Sequence, residues 1–210
     1  TFLTSDQYCY DEEVLLSFEA GFKATLWDGK ARLNVSAYYY DYSDYQVFQF
    51  IGTSGAVFNV DAEYKGFEAE LFLSPVDNMD MMLGLGFIDP KVKDVNVAQG
   101  VPRDVEASFT PEVQFSGLGR YTWPESMMGG SVSLQVDGNY ASSAFHNINN
   151  FDTHKMDSYW LGNASLSWAS ADERWQVTGF IDNFSDTRNQ NIGFELSTVC
   201  GCDEQSFGLP

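Results

Sequence analysis

The sequence predicts an all-β fold, an antiparallel transmembrane β-barrel segment with about eight strands of a larger barrel, and three observations predict it. Apolar and polar residues alternate with a period of two in segment after segment, the pattern of strands with unlike faces. The connections between these segments take turns in length, one short and the next long. The aromatic residues sort by strand end, with tryptophan near the short turns and tyrosine toward the long connections. Alternation alone does not say which face meets water, because a soluble sheet hides its apolar face in a core whereas a membrane barrel turns that face to lipid. The other two observations favour the membrane.

In chain order, the first strand candidate spans 13 to 27, with Val14, Leu16, Phe18, Ala20, Phe22, Ala24 and Leu26 opposite Ser17, Glu19, Lys23 and Thr25. The second, 30 to 50, opens with Ala31, Leu33, Val35 and Ala37 opposite Arg32, Asn34 and Ser36. Phe67, Ala69, Leu71 and Leu73 then oppose Glu68 and Glu70, and Met79, Met81, Leu83, Leu85 and Phe87 follow. Next come Phe109, Val113 and Phe115, then Val132, Leu134, Val136 and Tyr140 opposite Gln135, Asp137 and Asn139. Trp160, Ala164, Leu166 and Trp168 form the seventh, and Trp175, Val177 and Ile181 the eighth, opposite Arg174, Gln176, Thr178 and Asp182. No helix is expected.

Short turns are predicted at Asp28-Gly29, at Pro75 to Asn78, at Pro124 to Gly130 and at Ser170 to Asp172, all rich in turn formers. The longer polar connections are 51–56, 88–107, 143–156 and 185–204. An outer-membrane barrel has this asymmetry, short on the periplasmic side and long outside the cell. Trp27, Trp123, Trp168 and Trp175 lie beside short turns, while Tyr38, Tyr39, Tyr40, Tyr42, Tyr45, Tyr140 and Tyr159 lie toward the long ends, as two aromatic girdles would. The strand directions put both ends of the chain on the long-loop side. The expectation is therefore a piece of a barrel, with residues 1–13 the tail of a loop and 185–210 a loop leading to a further strand.

Composition narrows the function. The chain has 210 residues, 44% of them apolar, which rules against disorder. Thirty acidic residues against 11 basic ones give a formal charge of -19, so nucleic acid is excluded as a partner. No apolar run approaches the roughly 20 residues of a spanning helix. Cys9, Cys200 and Cys202 read as loop cysteines rather than a disulfide framework or a metal site. His146 and His154 share one polar connection with Asn147 and Asp152 and read as a solvated loop. No nucleophile elbow or phosphate loop is present, so no enzyme, cofactor or metal is expected.

Several motifs stand in a particular order: Glu19-x-Gly21-x-Lys23 before Leu26-Trp27-Asp28-Gly29, then Tyr38-Tyr39-Tyr40-Asp41-Tyr42-x-Asp44-Tyr45-Gln46, then Asn59-Val60-Asp61-Ala62-Glu63 leading into Lys65-Gly66-x-Glu68-x-Glu70. Ser74-Pro75, Gly84-x-Gly86, Pro111-Glu112 and Asn183-Phe184-x-Asp186 follow. Over nearly the whole chain they resemble the C-terminal barrel part of TonB-dependent outer-membrane receptors. Where that family usually reads Asn-Leu-Phe-Asp, this chain has Asn-Phe-Ser-Asp at 183–186, and a closing aromatic-ended strand is not found. The resemblance implies a bacterial outer-membrane location and a 22-stranded barrel closed by an N-terminal plug. It also implies active uptake of a scarce ligand of the siderophore, cobalamin or glycan class, driven through TonB by a plug segment outside these 210 residues. Outer-membrane lipid, the TonB coupling protein and a small-molecule or glycan ligand are the partners it implies.

The polar parity supplies the candidate site. Glu19, Lys23, Arg32, Glu68, Glu70, Gln135 and Asp137 are expected to line the lumen. Glu68 and Glu70, two residues apart on one face, also have the look of a glycosidase carboxylate pair, and the tyrosine run would stack on sugars or aromatic chelates as well as form a girdle. A passive porin or adhesin-like barrel is the alternative to an active transporter. A soluble carbohydrate-binding sandwich is the third class.

Overall fold

The computed structural model describes residues 10–51, 54–98, 101–123, 129–196 and 202–207. Eight long or medium strands run as a meander: β1 (Val14–Leu26), β2 (Ala31–Ile51), β3 (Ser54–Leu73) and β4 (Met79–Ala98), then β6 (Val113–Trp123), β7 (Gly130–Ala141), β10 (Tyr159–Ser170) and β11 (Gln176–Ile181). They form one antiparallel sheet in the order β1-β2-β3-β4-β6-β7-β10-β11, open at β1 and β11. β5 (Val101–Glu106) pairs with the far half of β4. Two small ribbons complete the chain, β8 (Ala144–Phe145) with β9 (Lys155–Met156), and β12 (Gln190–Leu196) with β13 (Cys202–Phe207). The fold class read from the alternation is the one observed. The only helical pieces among the described residues are two single 3-10 turns, Trp27–Gly29 and Asp152–His154.

The registers carry the alternation from strand to strand without a slip over the lower part of the sheet. Leu166 lies opposite Leu134, Leu71 between Leu33 and Leu83, and Phe67 opposite Phe87. One face is therefore continuously apolar, and it is exposed: Leu166 is 53% accessible, Val177 63% and Phe18 59%. No second layer of the described chain covers it. An apolar sheet face of this extent is unstable in water and suited to hydrocarbon. Met79 to Phe87, nine residues of β4, rise about 23 Å at 3.3 Å per residue and a tilt near 40°, which matches a barrel's lipid-facing band.

Both rims of the band are aromatic on its outer face. Trp123 and Trp168 flank Val132 at the short-turn end, and Tyr140 lies between Phe115 and Trp160 at the other. Amphipathic rings belong at the membrane interface. The short turns are closed by residues tolerant of positive φ, Asp28 at 54°, Gly29 at 92° and Asn78 at 64°.

Four expectations are corrected. Within 51–56 and 88–107, the described residues 51, 54–56, 88–98 and 101–106 are strand rather than polar connection: the β2–β3 ladder continues to Ile51 opposite Ser54, and the β4–β5 ladder to Ala98 opposite Val101. Within 185–204 lies β12 with the start of β13. Phe109 precedes its strand, at φ 56°, and β6 begins at Val113. The tyrosine run is divided, since the register sends Tyr39 to the apolar face and Tyr38, Tyr40 and Tyr42 to the polar one. Cys9 and Cys200 lie outside the described residues, and Cys202 is the first residue of β13.

Candidate functional site

The site is the polar face of the sheet and the cluster of hairpins above it. Registers place Glu19 opposite Tyr38, Lys23 opposite Asn34, Arg32 opposite Phe72, Ser36 opposite Glu68 and Asn34 opposite Glu70. They place Gln135 between Arg120 and Ser165, and Asp137 between Leu118 and Asn163. All seven candidates thus share one face, opposite the apolar band. They fall into two groups rather than one constellation. In the first, the Tyr40 hydroxyl donates to Glu19 Oε1 at 2.8 Å, Asn34 Nδ2 donates to Glu70 Oε2 at 3.1 Å, and the Arg32 guanidinium stacks 4.5 Å over the Phe72 ring. In the second, Asp137 accepts from Gln135 Nε2 at 3.2 Å and from Asn163 Nδ2 at 2.9 Å. Glycine separates them: Gly84 and Gly86 on β4 floor a trough of about 320 Å³ lined by Glu68, Glu70, Gln114, Asn139 and Tyr159.

A column of tyrosines climbs this face. The Tyr38 and Tyr40 rings stack with centroids 4.8 Å apart, and Tyr42, Tyr45 and Tyr64 pack together at 5.3 to 6.0 Å. Gly66 faces Tyr38 across the ladder, where a Cβ would collide with the Phe87 carbonyl oxygen and come within 2.6 Å of the Tyr38 hydroxyl. Burial, then the hydrogen bond with Tyr45, pushes the Tyr64 phenol up, so it stays neutral and a hydrogen-bonding group. Tyr45 keeps the same side as Tyr42, although three positions separate them, because β2 carries one extra residue against β3 at that point, with Asp44 at φ 58°. β4 does the same between Val92 and Val95, with Asp94 at φ 53°. Aspartate tolerates the left-handed conformation better than most residues.

Above the band the polar face gives way to the one buried apolar cluster of the described chain: Val47, Ala62, Val92, Val95, Val105, Ala107 and Ile148. Ile148 comes from the 143–158 segment, which therefore lies across the inner side of the β2–β3 and β4–β5 hairpins. Asparagines fasten it. Asn150 Oδ1 accepts from the Glu106 amide at 2.6 Å while its Nδ2 donates to the Glu106 carbonyl at 3.0 Å. Arg103 donates to the Asn149 carbonyl at 2.6 Å, and Gln49 Nε2 to Asn149 Oδ1 at 2.8 Å. Burial, then the charge of Glu112, pushes the Glu106 carboxyl up.

His146 and His154 are here too, and they are not solvated. They are 5% and 1% accessible, their rings lie 4.9 Å apart, and Asn147 Nδ2 is 2.6 Å from His154 Nδ1. Their ring neighbours, each other, Asn147 and Phe151, come from the same segment, and its folding back on itself is not a pattern the sequence displays. No group of three metal-ligating side chains occurs among the described residues.

An apolar outer band, a polar inner wall and tall hairpins at one end define a segment of a membrane β-barrel wall. The chain belongs to the family described as TonB dependent receptor-like, beta-barrel, which matches residues 10–184. Members of that family are β-barrel proteins of the bacterial outer membrane, receptors and transporters rather than enzymes. Among solved structures, the chain is similar to the ferric yersiniabactin uptake receptor FyuA of Yersinia pestis, with a TM-score of 0.74 at 16% identity over 93% of this chain and 28% of that one. The ferric preacinetobactin receptor BauA of Acinetobacter baumannii gives 0.68 at 17%, again over 93% and 28%. The pyoverdine receptor FpvA of Pseudomonas aeruginosa gives 0.65 at 14%, over 94% and 28%. At these identities the likeness is one of fold, and the chain spans a little over a quarter of each receptor's length.

Proposed function

We propose that the chain is the wall and part of the extracellular vestibule of a TonB-dependent importer of iron-siderophore complexes, oriented with the tyrosine and carboxylate face toward the lumen. The observation that carries this reading is the continuity of that face. From the hairpin cluster it descends through Tyr45, Tyr64, Tyr42, Tyr40 and Tyr38 to Glu19, Glu68 and Glu70, an unbroken aromatic and then acidic path down one wall. Stacked phenols suit flat aromatic chelators, and all three neighbours named above are receptors for siderophores or their iron complexes. The trough beside Glu68 and Glu70 faces the space where a plug would sit in this reading. A glycan or cobalamin ligand would use the same path, and the siderophore class is preferred on the company the fold keeps.

The test is uptake by the full-length receptor in cells with and without TonB. Iron-siderophore uptake is expected to require TonB and to fall by roughly tenfold, or about 1.4 kcal/mol of ligand interaction, in Tyr40→Ala and Tyr64→Ala at unchanged surface level. Uptake that persists without TonB would return the passive porin.

A further inference from the structure

Above the band, between the upper part of β2 and the 143–158 segment, lies a cavity of about 270 Å³. Val47 and Ile148 of the buried cluster form part of its wall. Tyr45, Phe48, Phe109 and His146 bring four rings to the lining. Phe48 and Phe109 are each more than half exposed, whereas His146 is buried. Phe109 is held in place against its own preference. Its φ of 56° lies in the left-handed region that bulky side chains avoid, and its amide donates to the carbonyl of Phe145, the neighbour of His146, at 2.7 Å. Backbone strain of this kind persists only where the surroundings over-determine it, and it gathers at ligand sites. Asn147 is equally fixed, with Oδ1 accepting from the Asn149 amide at 3.0 Å and Nδ2 lying 2.6 Å from His154 Nδ1.

We propose that this cavity binds an uncharged, phenol-like ring. For the source of the ring the inference rests on the importer reading: it is an arm of the siderophore outside the iron-chelating groups. The lining selects for it. Among the described residues that line the cavity there is no Asp, Glu, Lys or Arg, so an anionic chelating oxygen or an ammonium group would lose its water there without a countercharge. A flat neutral ring instead gains face and edge contacts with the four rings. Gln46, Ser108 and Asn147 are at hand for a single hydroxyl. Size points the same way. A dry cavity of about 150 Å³ already takes benzene, whereas sites for a whole drug-sized ligand begin near roughly 300 Å³. The cavity therefore suits one arm of a ligand and not the entire iron complex.

The experiment titrates the full-length receptor in detergent with 4-fluorophenol, 4-fluorobenzoate or 4-fluorobenzylammonium at neutral pH and reads line broadening by fluorine NMR, with empty micelles as the baseline. Wild type is expected to bind 4-fluorophenol roughly tenfold more tightly than either charged probe. Ser108→Phe, which fills the cavity, and Phe109→Ala, which removes a wall, each weaken 4-fluorophenol by roughly tenfold. Phe22→Ala, on the exposed apolar face of β1, leaves it unchanged. Equal binding of the three probes, or 4-fluorophenol retained by both lining variants, overturns the assignment. The importer reading is tested separately by the TonB dependence of uptake. If uptake runs without TonB while the probe selectivity holds, the siderophore origin of the ring is lost and the cavity's chemistry stands. If uptake requires TonB and the selectivity is absent, the cavity assignment alone is lost.

Discussion

Leu134 and Gln135 are adjacent in the chain and opposite in surroundings. Leu134 is 39% accessible on the apolar face between Tyr121 and Leu166, whereas Gln135 lies on the polar face between Arg120 and Ser165 and donates to Asp137. Leu134→Arg is expected to cost about 2 to 4 kcal/mol in a membrane-folding titration of the full-length receptor, and Gln135→Arg close to nothing; equal costs would reverse the two faces. Charge at the top of the band gives a second expectation. The hydrogen bond from Lys93, with further help from Lys65 and Lys91, holds the Glu63 carboxyl below its usual value of 4.5. A depressed carboxyl contributes stability that is complete above 4.5 and is lost as pH falls through the folded value. Amide protection in the β3–β4 ladder near Glu63, corrected for the intrinsic exchange rate at each pH, should therefore fall on acidification below that point, and Lys93→Gln should weaken that dependence. The first contrast was visible in the residue types, because alternation on a regular ladder is a local property; the Glu63–Lys93 pair was not, since 88–107 read as a polar connection. The burial of His146 and His154 was not, since it depends on how the 143–158 segment folds back on itself.

At the level of elements, the membrane strands and short turns were legible and the tall hairpins were not. The reason lies in β2 at Ser43 and Asp44 and in β4 at Lys93 and Asp94, where one extra residue breaks the period of two and makes an ordered ladder read as an irregular polar stretch. The 143–158 segment was legible only as a loop, since its hold on the hairpins comes from asparagine side chains rather than from a pattern. Asn150 is the main fastening. It bonds both backbone groups of Glu106 and the Asn147 carbonyl, and it sits at φ 50°. Asn150→Ala loses the side-chain bonds and strains the backbone, a local loss of about 2 to 3 kcal/mol. Asn150→Gly loses only the bonds. Proteolysis of intact cells should nick the segment fastest in the alanine variant and at an intermediate rate in the glycine variant, with the barrel assembled in both.

For the whole molecule, the open ends of the sheet decide behaviour. Among the described residues β1 and β11 each have one neighbour in the sheet, and unpaired strand edges are intolerable in lipid and adhesive in water. Closing the eight strands on themselves would crowd Glu19, Lys23 and Asp182 into a narrow interior, at a high desolvation cost for any charge left unpaired. These 210 residues expressed alone should therefore associate through their edges; a monodisperse monomer in detergent with steady single-channel conductance would contradict this. The extra residues, one in β2 and two in β4, have a last consequence, for how the protein tolerates change in length. Losing one residue between Tyr42 and Tyr45, between Val92 and Val95, or between Asn96 and Ala98 only straightens the ladder and leaves every side chain above it on its own side. Losing one anywhere else along these hairpins, Gln46 for instance, turns the tip inside out and sends Val47 from the cluster into water. Deletion of a single residue is thus silent at these three points of the tower and disruptive along the rest of it.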